Sequence, residues 1–315
     1  MTLGFPTQLI AKLCCTSDGA ALELGPNCQL SEDGVFVRQG TLRCCGCSDV
    51  FPIDDGILNM LKDVALDDES KHEQQLRNEN AARIDVTEPA WQDKHNSMEM
   101  ISTLEALSVG QDKTMLELGC GDGRYTVRIA GQYRWVLAVD FSLESLRILQ
   151  QRLNNGRETR NVALVLGDVK TLKVSAANFD CVLSTLTSNL PTREHRNAMY
   201  RLAANALKSN GRFVFSTHNH GLRQRRDGEA KAGRYEQGGI YRYNLTVSEC
   251  KAEVRPYFEV IKAWPIQIYF AGRLRLPLVA LSRFLEHIPL IRNLGGLVLC
   301  TAEQPIRAEL MMENQ

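Results

Sequence analysis

The chain has 315 residues, 44% of them hydrophobic and 23% charged, which excludes a disordered chain and supplies enough apolar side chains for one large core with an added module. Lys and Arg (37) balance Asp and Glu (37), so no global positive field draws the protein toward nucleic acid or anionic lipid. No stretch reaches the ~18 uninterrupted apolar residues of a membrane span, and the N-terminus lacks a charged leader followed by a long apolar run, so a cytoplasmic location is expected.

Residues 1–62 hold turn residues, short apolar stretches and a crowd of cysteines (Cys14, Cys15, Cys28, Cys44, Cys45, Cys47), and they close on Phe51-Pro52-Ile53-Asp54-Asp55-Gly56-Ile57-Leu58. A small β-rich module is expected there. Without a secretion signal, clustered cysteines suggest a metal site or its remnant ahead of disulfides. Cys44-Cys45-Gly46-Cys47 contains a Cys-x-x-Cys, half of a zinc ribbon, because two thiolates on one tight turn can share a tetrahedral ion. The other half is damaged: in Leu13-Cys14-Cys15-Thr16-Ser17-Asp18-Gly19, Ser17 stands where a second cysteine is expected, which leaves Cys28 to supply a fourth thiolate from a folded-back loop. The candidate ligands are therefore Cys14, Cys28, Cys44 and Cys47. A ribbon that kept its fold and lost its zinc is the preferred reading, with the thiols acting as small hydrophobes.

Residues 63–96 turn charged and polar (Asp67, Asp68, Glu69, Lys71, His72, Glu73) and are expected to form a linker and an exposed helix. The remainder, 97–315, opens on a helix over 97–107. Apolar runs then alternate with amphipathic segments, with strands expected over 114–118, 135–139, 162–166, 179–184, 212–217, 258–264 and 297–302. That rhythm gives the fold class as α/β, a doubly wound sheet of seven strands.

The segment Met115-Leu116-Glu117-Leu118-Gly119-Cys120-Gly121-Asp122-Gly123-Arg124 is an apolar strand running into a glycine turn and a helix over 125–130. Glycine alone turns so sharply and leaves the approach free of a Cβ, although a triplet by itself also suits a plain strand-to-helix turn. Asp140 closes the next strand at the same carboxyl edge, where a carboxylate can accept from a ribose diol. Asp168 ends the third strand and can accept from an adenine amino group while Val169 packs on the ring. For a dinucleotide the third glycine comes one position early, and Glu117 would repel a pyrophosphate while suiting a cationic sulfonium and amino group.

These motifs, at 117–123, 139–142, 167–169 and 179–184 and continuing through 207–214, resemble the class I S-adenosylmethionine-dependent methyltransferases. The resemblance covers about residues 90–302. It implies a last strand, here 296–302, running antiparallel between the fifth and sixth. It implies S-adenosylmethionine as cofactor, bound by Glu117, Gly119, Cys120, Gly121, Asp140, Phe141, Asp168 and Val169, with Ser184 and Thr185 lining the methyl-donor cleft. The segment 13–19 likewise resembles the first knuckle of a zinc-ribbon-like module found ahead of some such enzymes.

For the acceptor, Ser216-Thr217-His218-Asn219-His220 offers His218 or His220 as a base, or as loop histidines bonded to backbone. His195 is expected on a solvated helix face. Arg223, Arg225, Arg226, Arg234 and Arg242 interleave with Tyr235, Tyr241 and Tyr243, which suits an anionic or planar acceptor, RNA, or a plain surface lid. The apolar stretch 269–295, with Arg273, Arg275, Arg283 and Arg292, is expected to pack on the sheet, peripheral membrane contact being the lesser reading. The leading expectation is methyl transfer to a small-molecule acceptor, a specialised or envelope metabolite. The alternatives are a ribosomal RNA base methyltransferase, against which zero net charge counts, and a non-catalytic cofactor-binding partner.

Overall fold

Parallel strands buried on both faces require continuous apolar runs, and three segments supply them. Strands Gly110–Leu118, Tyr133–Asp140 and Val162–Leu166 pair in parallel, with Leu116 opposite Leu137 and Leu164 opposite Ala138. Residues 114–118, 136–140 and 162–166 are all buried. The helix Leu143–Asn155 covers them with Leu146, Leu149 and Leu153, spaced to share one helical face. The computed structural model describes residues 4–61, 66–86, 94–155, 160–190, 192–234, 239–268 and 279–307. They divide into two compact units, one of residues 1–90, 109–182 and 205–208, the other of 91–108, 183–204 and 209–315.

Within the first unit the N-terminal segment carries several short strands. Strand Phe36–Cys44 pairs antiparallel with Val50–Asp54, which pairs with Ile57–Asn59. Ile57–Asn59 then lies parallel to Val162–Leu166, with Leu164 opposite Ile57, and the Met60 amide donates to Leu166 O at 2.8 Å. An open edge on Val162–Leu166 would leave amides and carbonyls unpaired, and the buried Ile57 and Leu58 fill it. A second seam pairs Leu13–Cys14 antiparallel with Lys173–Val174. The sheet therefore extends beyond the strands of the expected core.

The polar stretch expected to form a linker and an exposed helix carries the helix Asp68–Ala81, capped by Asp67, whose carboxylate accepts from the Ser70 amide at 2.8 Å. It packs by its polar side chains. Gln74 Nε2 donates to Phe141 O at 2.5 Å, and Asn78 Oδ1 accepts from Ser142 Oγ at 2.7 Å.

In the second unit, Leu297–Pro305 pairs antiparallel with both Leu207–His218 and Phe258–Ile266, with Phe215 opposite Cys300 and Ala263 opposite Cys300. The last strand thus runs between two others and against them, as the resemblance implied. Phe213 stacks on Phe215 (4.9 Å between centroids) and on Phe258 (5.9 Å), and Tyr200 adds an edge. The buried Arg196 is held by Glu253 in a two-pronged pair of 2.9 and 2.8 Å and lies 4.3 Å over the Tyr243 ring. His195 is buried, with Nδ1 2.6 Å from Thr192 Oγ1, rather than on the solvated face expected for it.

In the late apolar stretch, expected to pack on the sheet, the described residues include both buried and exposed side chains. Ser282 and Glu286 of the helix Val279–Glu286 are buried, whereas Phe284 is 65% exposed and Leu290 85%. Arg273, Arg275 and Tyr235 lie outside the described residues. Among the described residues, no helix is long and apolar enough to cross a membrane.

Candidate active site

The carboxyl ends of the three central parallel strands bring the predicted cofactor residues of the first unit to one edge. Glu117 is the penultimate residue of its strand and is buried. Its Oε2 accepts from Thr126 Oγ1 at 2.7 Å, and burial pushes its carboxyl up to about 8, against the pull of that hydrogen bond. Asp140 ends the next strand. Its Oδ2 accepts from the Gly121 amide at 2.7 Å and its Oδ1 from the Ser142 amide at 2.9 Å, which leaves further acceptor positions on both oxygens. Burial raises the Asp140 carboxyl above the usual range, and the two amides pull it back.

Between these acids runs the glycine turn. Gly119 (φ +73°) and Gly121 (φ +54°) both sit in the left-handed region, and a Cβ built on either meets nothing within 4 Å. Open space there leaves bare backbone facing whatever approaches the edge. Gly123 serves packing instead, since its Cβ would stand 2.3 Å from Leu149 Cδ1. Cys120 is buried, and burial pushes its thiol well up. Phe141 is half-buried with its carbonyl bound by Gln74. Asp168 and Val169 follow the third strand, half-buried, with Asp168 Oδ1 accepting from the Lys170 amide at 2.9 Å.

The remaining candidates belong to the second unit. Ser184 is buried and Thr185 half-buried, and next in the chain Leu186 takes a left-handed conformation (φ 55°) with its amide on Ser216 Oγ at 3.0 Å. Ser216 Oγ in turn donates to Glu99 Oε1 at 2.6 Å. His218 ends the strand Leu207–His218 with Nε2 3.2 Å from Arg242 Nη1. Burial, reinforced by that guanidinium, lowers His218 to about 3, so it stays neutral and its ring nitrogen accepts from arginine. His220, two residues on, has a buried Nδ1 with no hydrogen-bond partner among the described residues.

Residues 115–211 match a family described as a methyltransferase domain. The chain carries a methyltransferase domain. Curated relatives include chondramide synthase cmdD of Chondromyces crocatus, 36% identical over 113 residues (35% of this chain and 3% of that one). A second is a demethylmenaquinone methyltransferase of Mycolicibacterium vanbaalenii, 27% identical over 200 residues (62% and 80%). The chain thus spans only a small fraction of the first relative. Among solved structures, Haemonchus contortus phosphoethanolamine N-methyltransferase 1 with phosphoethanolamine and S-adenosylhomocysteine has a TM-score of 0.54 at 15% identity over 76% of this chain and 50% of that one. The DhpI–SAM–HEP complex scores 0.53 at 15% identity over 76% and 100%. At that identity the likeness is one of fold, and the fold is that of S-adenosylmethionine-dependent methyltransferases.

The edge of the methyltransferase domain fits that cofactor. S-adenosylmethionine supplies an electrophilic methyl group on a cationic sulfur. Glu117 offers a carboxyl suited to its positive end, Asp140 retains acceptor positions for a diol, and the turn at Gly119 and Gly121 is a cradle that any Cβ would fill. Sequence reasoning missed Thr126, Gln74 and Asn78, which hold Glu117 and the loop after Asp140. Thr126 carried a signal, as the first residue of the helix after the glycines. The two others lie in a stretch with no apolar periodicity to mark it.

The structure does not bring the four candidate metal ligands together. Cys14 Sγ lies 3.6 Å from Ser175 Oγ, and Cys28 Sγ donates to Gly25 O at 3.2 Å and Thr41 O at 3.5 Å. Cys14 and Cys15 are adjacent on extended chain, so their side chains point opposite ways, and Cys15 is the one that turns toward Cys44 and Cys47.

Proposed function

We propose that this chain transfers the methyl group of S-adenosylmethionine to a small-molecule acceptor. The observation that carries the reading is the strand edge where buried Glu117 and Asp140 flank the Cβ-free turn of Gly119 and Gly121. Methyl transfer from a sulfonium is an in-line displacement, so the protein chiefly aligns donor and acceptor, and a base is needed only when the acceptor must lose a proton. In this reading Glu117, Gly119, Cys120, Gly121, Asp140, Phe141, Asp168 and Val169 hold the cofactor, and Ser184 and Thr185 are the further residues that the resemblance assigns to the methyl donor. His220 takes the proton, with His218 and Arg242 forming a positioned pair beside it. A small acceptor is supported by relatives named for demethylmenaquinone and phosphoethanolamine and by the zero net charge, which offers no broad field for RNA phosphates.

The test is incubation of the purified chain with methyl-labelled S-adenosylmethionine and a lysate of its source, separated into protein, RNA, lipid and small-molecule fractions. Label in small molecules or lipid is expected. Label confined to RNA, or binding of cofactor with no label anywhere, would overturn the reading.

A further inference from the structure

The methyltransferase edge leaves unused a cluster in the first fifty residues. Cys15, Asp18, Cys44 and Cys47 each offer one ligand atom, and these atoms all lie within 4.8 Å of one another. A tetrahedral zinc with Zn–S of about 2.3 Å and Zn–O of about 2.0–2.2 Å has S···S edges of about 3.8 Å and S···O edges of about 3.5 Å. Cys15 Sγ and Cys47 Sγ are 3.7 Å apart, and Cys44 Sγ stands 3.3 and 3.4 Å from the two oxygens of Asp18. Those two ligand pairs have the edge lengths of a tetrahedral shell.

The two halves of the cluster are built alike. Cys15-x-x-Asp18 and Cys44-x-x-Cys47 share one spacing, and each is folded as a tight turn. The Gly19 amide donates to Cys15 O at 3.0 Å in the first, and the Gly46 and Cys47 amides point at Cys44 Sγ at 3.2 and 3.3 Å in the second. Backbone amides aimed at a sulfur are the outer partners that metal-bound cysteines take. Gly46 must be glycine, since a Cβ there would stand 2.5 Å from Asp18 Oδ2 and 2.8 Å from Ala20 Cβ. Asp49 Oδ2 lies 3.5 Å from Cys15 Sγ but is engaged by Ser17 Oγ at 2.5 Å, which suits an outer partner of the site.

We propose that Cys15, Asp18, Cys44 and Cys47 form a three-thiolate, one-carboxylate site for a zinc ion. Four protein ligands close the shell and leave no position for substrate, so the ion acts structurally. It ties the turn at 15–18 to the turn at 44–47. The strand Phe36–Cys44 that enters the second turn leads, through Val50–Asp54, to Ile57–Asn59 on the sheet beside Val162–Leu166.

The test uses the full chain, purified under reducing conditions and loaded with zinc or with cobalt(II) as a spectroscopic substitute. About one metal per chain by mass spectrometry, with the visible bands of tetrahedral thiolate-bound cobalt, is expected. Cys15→Ser and Cys47→Ser should abolish those bands, while Cys14→Ser and Cys28→Ser keep them. Asp18→Cys guards against misfolding as an explanation: it should still bind cobalt, with thiolate-to-metal absorption stronger by about one third as three thiolates become four. No cobalt spectrum in the intact chain, a Cys15–Cys47 disulfide in its place, or loss of metal in Cys28→Ser with retention in Cys15→Ser would each overturn the proposal.

Discussion

Replacing Glu117 by Gln separates the cost of a buried carboxyl from its use. Burial holds this carboxyl up to about 8, against 4.5 for an ordinary glutamate. Between those two pH values the folded chain keeps a proton that the unfolded chain has released, so the group's contribution to stability is complete below about 4.5 and is lost as pH rises through about 8. The difference corresponds to on the order of 5 kcal/mol. Glu117→Gln keeps the shape and an oxygen for Thr126 Oγ1 and has no proton to lose. Urea unfolding of both chains across pH, without cofactor, is expected to show the variant gaining on the wild type from about pH 5 to about pH 9, by up to that amount. Cofactor binding adds a second arm. A cationic ligand at the carboxyl draws it back to its ionised form, so wild-type affinity for S-adenosylmethionine by calorimetry should climb about tenfold per pH unit from about 6 toward 8, and the variant's should stay flat. Parallel stability curves would refute the burial argument; divergent stability curves with parallel affinity curves would refute only the placement of the cofactor's positive end.

Five further substitutions probe the same edge and the acceptor side. Asp140→Ala removes the acceptor of the Gly121 and Ser142 amides along with the proposed diol contact, and calorimetry is expected to give a cofactor affinity lower by about a hundredfold or more. Gly123→Ala places a Cβ 2.3 Å from Leu149 Cδ1 at a φ of +88°, and urea unfolding should register a loss of roughly 2–3 kcal/mol, while Gly119→Ala, which meets open space, should cost about 1 kcal/mol and act chiefly on cofactor affinity. Once an acceptor is identified, His220→Gln is expected to lower kcat by about a hundredfold or more with little change in KM. His218→Gln, whose ring nitrogen already accepts from Arg242, should leave kcat within about tenfold and its pH profile unmoved, and the reverse ranking would reassign the base.

The strands were readable where burial on both faces forced uninterrupted apolar runs. Val162–Leu166 and Phe179–Ser184 have the bounds expected from sequence, and Trp135 to Val139 extended only to Tyr133–Asp140. The longer strands overran their predicted ends. Leu207–His218 begins five residues early, through Lys208-Ser209-Asn210-Gly211, a run that reads as a turn. Glu117, Asp140 and the glycine turn were legible because strand ends and a Cβ-free turn leave marks in one dimension. Their supports were not. Gln74 and Asn78 act from a helix whose exposed polar composition resembles a linker, and only the fold shows that its amides reach Phe141 and Ser142.

The cysteines show how a correct motif can be read in the wrong register. With Cys14 as the first ligand, the spacing Cys-x-x-Cys lands on Ser17, and the missing thiolate must be sought as far away as Cys28. With Cys15 as the first ligand, the same spacing lands on Asp18, so both halves of the site are three-residue steps and no distant loop is required. Strand alternation decides between them, because adjacent residues on extended chain face opposite ways and only one of the Cys14–Cys15 pair can share a turn with Cys44 and Cys47. The pairing of Leu13–Cys14 with Lys173–Val174 turns Cys14 toward Ser175 and leaves Cys15 for the cluster. That choice rests on a contact more than 150 residues away in the chain. A local motif therefore specified the chemistry of the ligands, and a distant strand specified which residue would be one.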